Sequence, residues 1–152
     1  HLVFHPEKDV FYSVNENGST VSAHHFDPEK GTLSSFQVIS TLPAGFDAED
    51  NTCAEIKIDA SGRHLYASNR GHDSLALFDV AEDGSLSLRD HYATEQTPRF
   101  FDLDPTGKWM LSVGQGSGSM TVYRIEEPGA LTQTNRFDVG AAPLWIQFVE
   151  VR

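Results

Sequence analysis

Three stretches of this chain can be laid one above another: HLVFHPEKDVFYSVNENGSTVSAHHF from His1, EIKIDASGRHLYASNRGHDSLALF from Glu55, and FFDLDPTGKWMLSVGQGSGSMTVY from Phe100. Each opens with an alternating apolar segment and breaks at a polar turn, at Pro6-Glu7-Lys8, Ala60-Ser61-Gly62 or Pro105-Thr106-Gly107. A second apolar segment then runs to a polar pair, Asn15-Glu16, Asn69-Arg70 or Gly114-Gln115, and a third ends in Phe or Tyr. The starts lie about 54 and then about 45 residues apart, close to the period of one four-stranded propeller blade. The fold class expected is therefore all-β: about three blades of four antiparallel strands, a partial propeller. The repeats fall near 1–53, 54–98 and 99–143, with a closing segment at 144–152.

A closed propeller needs about four to eight blades. Three blades and one strand leave two faces uncovered, so either the chain is part of a longer protein or copies associate to complete a ring. The fragment reading is preferred, because the chain opens inside a strand with no initiator Met. Exposed edge strands tend to pair with another chain, which predicts self-association of this half studied alone.

Period-two alternation places strands at 1–5, 9–15, 20–26 and 33–40; at 55–59, 63–69, 74–79 and 86–93; and at 100–104, 108–114, 119–125 and 131–138. A last strand is expected at 144–150. Gly62 and Gly107 supply the permissive residue of a tight hairpin. The turns at Pro28 to Gly31, Glu82 to Gly84 and Glu127 to Gly129 connect third and fourth strands. Leu42 to Thr52, LPAGFDAEDNT, lengthens the first repeat and reads as an inter-blade loop or a simple surface insertion. Alternation assigns Leu2, Phe4, Phe11, Ile56, Ile58, Leu65, Tyr66, Phe101, Leu103, Met110 and Leu111 to the packing between blades. Phe26, Phe78 and Tyr123 are expected near blade edges.

The net charge of −11 disfavours nucleic acid and anionic membrane surfaces as partners. No apolar run approaches the roughly 20 residues of a membrane span. The lone Cys53 excludes an intrachain disulfide and fits a reducing, cytoplasmic setting. Asn17-Gly18-Ser19 is a glycosylation sequon that its turn position explains more simply.

In a propeller the innermost strands line a central channel, and equivalent positions of successive repeats meet around it. Glu16, Arg70 and Gln115 occupy one such position: a carboxylate able to act as general base, a guanidinium able to clamp an anionic oxygen, and an amide. Their alternative reading is as solvated hairpin residues. His1, Glu55 and Arg99 open the inner strands and can project toward the channel, although Glu55 and Arg99 can equally pair between blades. His72 can join Arg70 at the mouth or merely end a turn. His24 and His25 are adjacent on a strand and point to opposite faces, so no metal or other cofactor is expected. No nucleophile elbow occurs, and Gly114-Gln115-Gly116-Ser117-Gly118 precedes no helix that would bind phosphate.

Cys53-Ala54-Glu55-Ile56, Leu65-Tyr66-Ala67-Ser68-Asn69-Arg70-Gly71-His72-Asp73-Ser74, Thr97-Pro98-Arg99-Phe100 and Asp104-Pro105-Thr106-Gly107 resemble the lactonase family of seven-bladed propellers. His1 to Pro6 and Val14-Asn15-Glu16 match the segment that follows a Pro-Arg pair in that family. The resemblance implies the C-terminal half of a cytoplasmic propeller that acts on a small anionic lactone. Two activities lie within it: hydrolysis, most simply of 6-phosphogluconolactone, and the muconate-type cyclisation that closes a lactone ring. Glu16 matches a site glutamate and Arg70 an arginine, while His1, Glu55, His72, Arg99 and Gln115 are expected to bind substrate. The arginine expected before His1 and the histidine of an earlier blade are absent from this chain. A non-catalytic propeller that binds a ligand or partner protein is the third reading, because one fold serves many functions.

Overall fold

The structure is a computed structural model and describes residues 1–149. It contains twelve strands: β1 (Leu2–Phe4), β2 (Val10–Asn15), β3 (Thr20–Asp27), β4 (Thr32–Ser40), β5 (Thr52–Ile58), β6 (His64–Arg70), β7 (Ser74–Val80), β8 (Leu86–Ala93), β9 (Pro98–Leu103), β10 (Trp109–Gly114), β11 (Ser119–Glu126) and β12 (Ala130–Asp138). They form three four-stranded antiparallel meanders in sequence order. Every strand expected within the three repeats is present, its ends shifted by at most a few residues. The first strands β1, β5 and β9 lie side by side, and the sheets stack face to face as three blades.

The first hairpin of each blade is closed by one side chain at an equivalent position. Asp59 Oδ1 accepts from the Arg63 amide, and Asp104 Oδ1 accepts from those of Lys108 and Trp109. In the first blade His5 takes this place, its Nδ1 accepting from the Glu7 and Lys8 amides. Gly62 has φ +69, and a Cβ there would lie 2.6 Å from the His5 ring. It is therefore glycine for two reasons, the left-handed backbone and the close approach of the neighbouring blade.

All three blades carry a bulge at the same point of the fourth strand, where Phe36, Arg89 and Thr134 are the extra residues opposite Ala23/His24, Leu77/Phe78 and Val122/Tyr123 of the third. A bulge increases local twist, and this one turns each outer strand relative to the inner ones.

Two apolar layers hold the blades together. The first sets Val10, Tyr12, Val14 and Val21 against Ile56, Leu65, Ala67 and Phe78. The second sets Tyr66, Leu75 and Leu77 against Phe101, Met110, Tyr123 and Leu131. Within each layer a second-strand tyrosine bonds across to the next blade. Tyr12 Oη donates to Gly84 O at 2.8 Å, and Tyr66 Oη donates to Gly129 O at 2.7 Å. Burial raises both phenols, Tyr12 to about 12, so both remain neutral donors. In the third blade the equivalent residue is Leu111.

Several burial expectations need correction. Leu2 and Phe4 are more than half exposed, because they point to the face of the first blade that no other described blade covers. Phe4 packs instead on Phe11 and on a half-buried Phe26. Leu111, on the opposite open face, is only half-buried and lines a groove with Trp109, Val122 and Phe148. Ile58 and Leu103, though half-buried, do pack against the first and second inter-blade layers, as expected. The final strand is not formed over 144–149, where no described strand pairs with the backbone; residues 150–152 lie outside the described residues. Trp145 nevertheless packs on Phe100 with ring centroids 4.2 Å apart.

Replacing the tyrosines by Phe isolates the cross-blade bond from its ring packing. Tyr12→Phe and Tyr66→Phe are each expected to cost about 1–3 kcal/mol, since each leaves a glycine carbonyl unpaired inside the blade junction. Urea unfolding is the measurement, and a loss below about 0.3 kcal/mol in both variants would show that the hydroxyl is dispensable.

Candidate active site at the blade junctions

The first two blades bring Glu16 and Arg70 together. Asn15 and Asn69 end β2 and the penultimate position of β6, and the next residue in each blade is the functional candidate. Asn69 is fully buried and ties the junction together. Its Oδ1 accepts from Thr41 Oγ1 at 2.7 Å, and its Nδ2 donates to Thr41 O at 2.8 Å. Asn51 is also buried; its Nδ2 donates to Ser19 Oγ at 2.9 Å. These bonds hold both ends of the 42–52 loop, which carries a 3-10 turn at Ala48–Asp50. Gly71 has φ +128, and a Cβ there would come within 2.0 Å of Asp50 O. Only glycine lets this loop lie against the turn that presents Arg70.

Arg70 Nη2 donates to Glu16 Oε1 and, at 2.7 Å, to Cys53 O. The Glu16 carbonyl accepts from the Cys53 amide at 2.8 Å, so one residue of β5 fixes both partners. Arg70 Nε is buried and has no hydrogen-bond partner among the described residues. The hydrogen bond from Arg70, and then its charge, hold the Glu16 carboxyl below the usual carboxylate range, with Arg99 acting in the same direction. Glu16 is therefore ionised at neutral pH while its side chain stays open to solvent.

The remaining candidates divide. His1 and Glu55 meet: His1 Nδ1 lies 2.9 Å from Glu55 Oε2, with Glu55 almost completely buried. The inter-blade partner of Glu55 is thus His1 and not Arg99. Arg99 is half-buried on β9 and forms no ion pair among the described residues. Gln115 is exposed; its amide donates to Thr97 O at 2.9 Å, and it borders a shallow groove with Ser117, Asp138 and Ala142.

His72 turns away from Arg70. Its Nδ1 is 2.7 Å from Ser74 Oγ, its amide donates to Asn51 Oδ1, and its ring packs edge-on to Phe46 and His91. Burial, and secondarily the charge of His91, lower its pKa. It therefore supports the loop rather than the Glu16–Arg70 pair. His24 and His25 stack on different rings, Phe11 and Phe36. Among the described residues no group of three or more His, Cys, Asp or Glu could hold a metal ion. The buried Cys53 thiol is pushed up by desolvation, which suits a packed side chain better than a nucleophile.

Two elements of this region have little or no signature in the sequence. One is the Thr41–Asn51–Asn69 network, whose only trace is the recurrence of Asn before Glu16 and Arg70. The other is Glu95, nearly buried on the β8–β9 connection, which accepts from Arg136 Nε at 2.9 Å and Thr121 Oγ1 at 2.6 Å. Its partners lie 26 and 41 residues further on, beyond any local pattern.

Residues 1–148 match the family described as "Lactonase, 7-bladed beta-propeller". A 6-phosphogluconolactonase of Cronobacter sakazakii is 38% identical over 96% of this chain and 44% of its own length. One from Yersinia enterocolitica is 38% identical over 100% of the chain and 46% of its own length. The chain thus spans less than half the length of these relatives. Among solved structures, the periplasmic gluconolactonase PpgL of Pseudomonas aeruginosa superposes with a TM-score of 0.90 at 26% identity, over 100% of this chain and 42% of that one. A Lactobacillus plantarum protein gives 0.87 at 34% identity, over 93% and 41%. With blades, turns and sequence in agreement, this chain belongs to the lactonase family of seven-bladed β-propellers.

Proposed function

We propose that these blades contribute to a lactonase that hydrolyses a sugar lactone, first of all 6-phosphogluconolactone, and that further blades complete the ring. The observation that carries this reading is the meeting of Glu16 and Arg70 at equivalent turns of adjacent blades. The names of the Cronobacter and Yersinia relatives point to the same chemistry.

Hydrolysis begins with attack of water on the ring carbonyl. Glu16, ionised at neutral pH, accepts the water proton as the new C–O bond forms. Arg70 stabilises the oxyanion or holds the substrate phosphate, with Arg99 adding positive charge nearby. The tetrahedral intermediate collapses by breaking the bond to the ring oxygen, which takes up a proton and leaves an open-chain hydroxy acid. A positioned base contributes roughly 10²- to 10⁴-fold, and an oxyanion donor about 10²- to 10³-fold. An acidic protein needs such a local cluster of guanidinium groups to attract an anionic substrate. Because a phosphorylated sugar does not cross membranes unaided, this reading places the protein in the cytoplasm.

In the full-length protein carrying these blades, Arg70→Ala is expected to lower kcat/KM for 6-phosphogluconolactone by about 10²- to 10³-fold. Glu16→Gln should lower kcat by about 10²-fold or more. A rate no faster than spontaneous hydrolysis in the unsubstituted protein would reject the lactonase assignment.

The pH dependence carries a sign. The active form of Glu16 is the anion, so activity is lost only as pH falls through its depressed pKa. No acid-side loss attributable to Glu16 is expected above about pH 5, where an ordinary glutamate is already ionised. An inflection near pH 6 that disappears in Glu16→Gln would contradict this.

The 152-residue chain alone leaves Leu2, Phe4, Trp109 and Leu144 exposed. It is expected to self-associate in sedimentation experiments; a monodisperse monomer would show that its open faces are tolerated.

A further inference from the structure

Hydrolysis of a lactone needs a second proton transfer, to the ring oxygen that leaves, and Glu16 as base does not supply it. Resting on the lactonase reading above, we infer that His1 and Glu55 form the acid dyad: His1 donates the proton to the leaving oxygen, and Glu55 positions the imidazole.

Geometry carries the assignment. Glu55 sits on β5 where its pairing with β6 breaks register, between Cys53 and Ile56. That irregularity re-aims the side chain. The freed Glu55 amide is satisfied by Ser68 Oγ at 3.0 Å. The two carboxylate oxygens then take different partners. Oε1 accepts from the Ile56 amide at 2.9 Å, and Oε2 faces His1 Nδ1 at 2.9 Å. Glu55 is 4% exposed and His1 38%, so the carboxylate is enclosed and the imidazole is the member that reaches solvent. A buried carboxylate against Nδ1 fixes the ring and leaves Nε2 as the exchanging position, the arrangement of known carboxylate–histidine pairs. The backbone of His1 is itself anchored, its carbonyl accepting from the Val14 amide at 3.1 Å.

The pair also stands in the right place. Arg70 binds the carbonyl of Cys53, two residues before Glu55 on the same strand. The guanidinium is thus anchored two residues from Glu55 on the strand that carries the dyad, a spacing of about 7 Å where a strand is regular. The two carboxylates have opposite environments. Arg70 lowers Glu16, whereas burial raises Glu55 despite the opposing Ile56 amide and Lys57, with Asp102 adding to the rise. Carboxyls pushed apart in this way are suited to opposite roles, one as base and one on the acid side.

The proton balance is complete. The pair enters the reaction with one proton on His1 Nε2, which passes to the ring oxygen as the carbonyl carbon–oxygen bond breaks. Glu16 holds the proton taken from water, and exchange with solvent restores both groups.

The test is a pH–rate profile of 6-phosphogluconolactone hydrolysis in the full-length protein, after subtraction of the spontaneous rate. His1→Gln is expected to lower kcat by about 10²-fold with little change in KM. Glu55→Gln retains the shape but removes the charge that favours the protonated ring. Its alkaline limb should therefore move to lower pH by about one unit or more. The His1 ring titration followed by NMR in the same variant should fall in parallel, a readout that a purely structural role would not move. A His1→Gln variant within about threefold of the unsubstituted kcat, or an unmoved His1 titration in Glu55→Gln, overturns the dyad and leaves the lactonase reading intact. An unsubstituted protein without activity overturns the lactonase reading and the dyad's catalytic role with it.

Discussion

The stacking of one blade on the next, sealed by a tyrosine, is the interaction on which the rest depends. Tyr12 and Tyr66 each place a ring in the apolar layer and a hydroxyl on a glycine carbonyl of the following blade. The ring supplies apolar area, and the hydroxyl satisfies a backbone group that the junction would otherwise bury unpaired. The bond is directional, so it sets the angle and height at which the next sheet sits. Gly129 is packed so closely that a Cβ would meet the His64 ring at 2.6 Å. Bulk added there would push the two blades apart.

That fixed relation decides the chemistry. Glu16 and Arg70 belong to different blades and meet only because Cys53, at the start of the second blade, receives the Arg70 guanidinium and donates its amide to the Glu16 carbonyl. His1 and Glu55 meet across the same junction. A tilt between these blades would therefore separate both pairs at once. The buried Thr41–Asn51–Asn69 bonds resist such a tilt from the outer end of the junction. Being enclosed and mutually satisfied, they hold the loop without leaving polar groups stranded.

Much of this was legible in the residues. Alternation and the polar, glycine-bearing turns located all the strands within the repeats because strand period and turn chemistry are local properties. The equivalence of Glu16, Arg70 and Gln115 followed from register with the repeat. Burial at the two outer faces is not legible in the same way, since alternation says which residues share a face but not whether another sheet covers it. Leu2, Phe4 and Leu111 are the consequence. Proximity in sequence leaves His72 free either to join Arg70 or to end a turn, and the fold carries its ring toward Phe46 and His91.

The sequence by itself determined the architecture: the number of blades, the order of strands and the turns between them, all of which arise from short-range backbone preferences and side-chain period. The tertiary structure alone decided the pairings. Whether Glu55 would face Arg99 or His1 depended on the relative height of three inner strands, which no local pattern encodes. The environments of Glu16 and Glu55 were likewise invisible beforehand. A carboxyl's acidity is set by the charges and water around it, and Arg70, the neighbour that governs Glu16, lies 54 residues away in sequence.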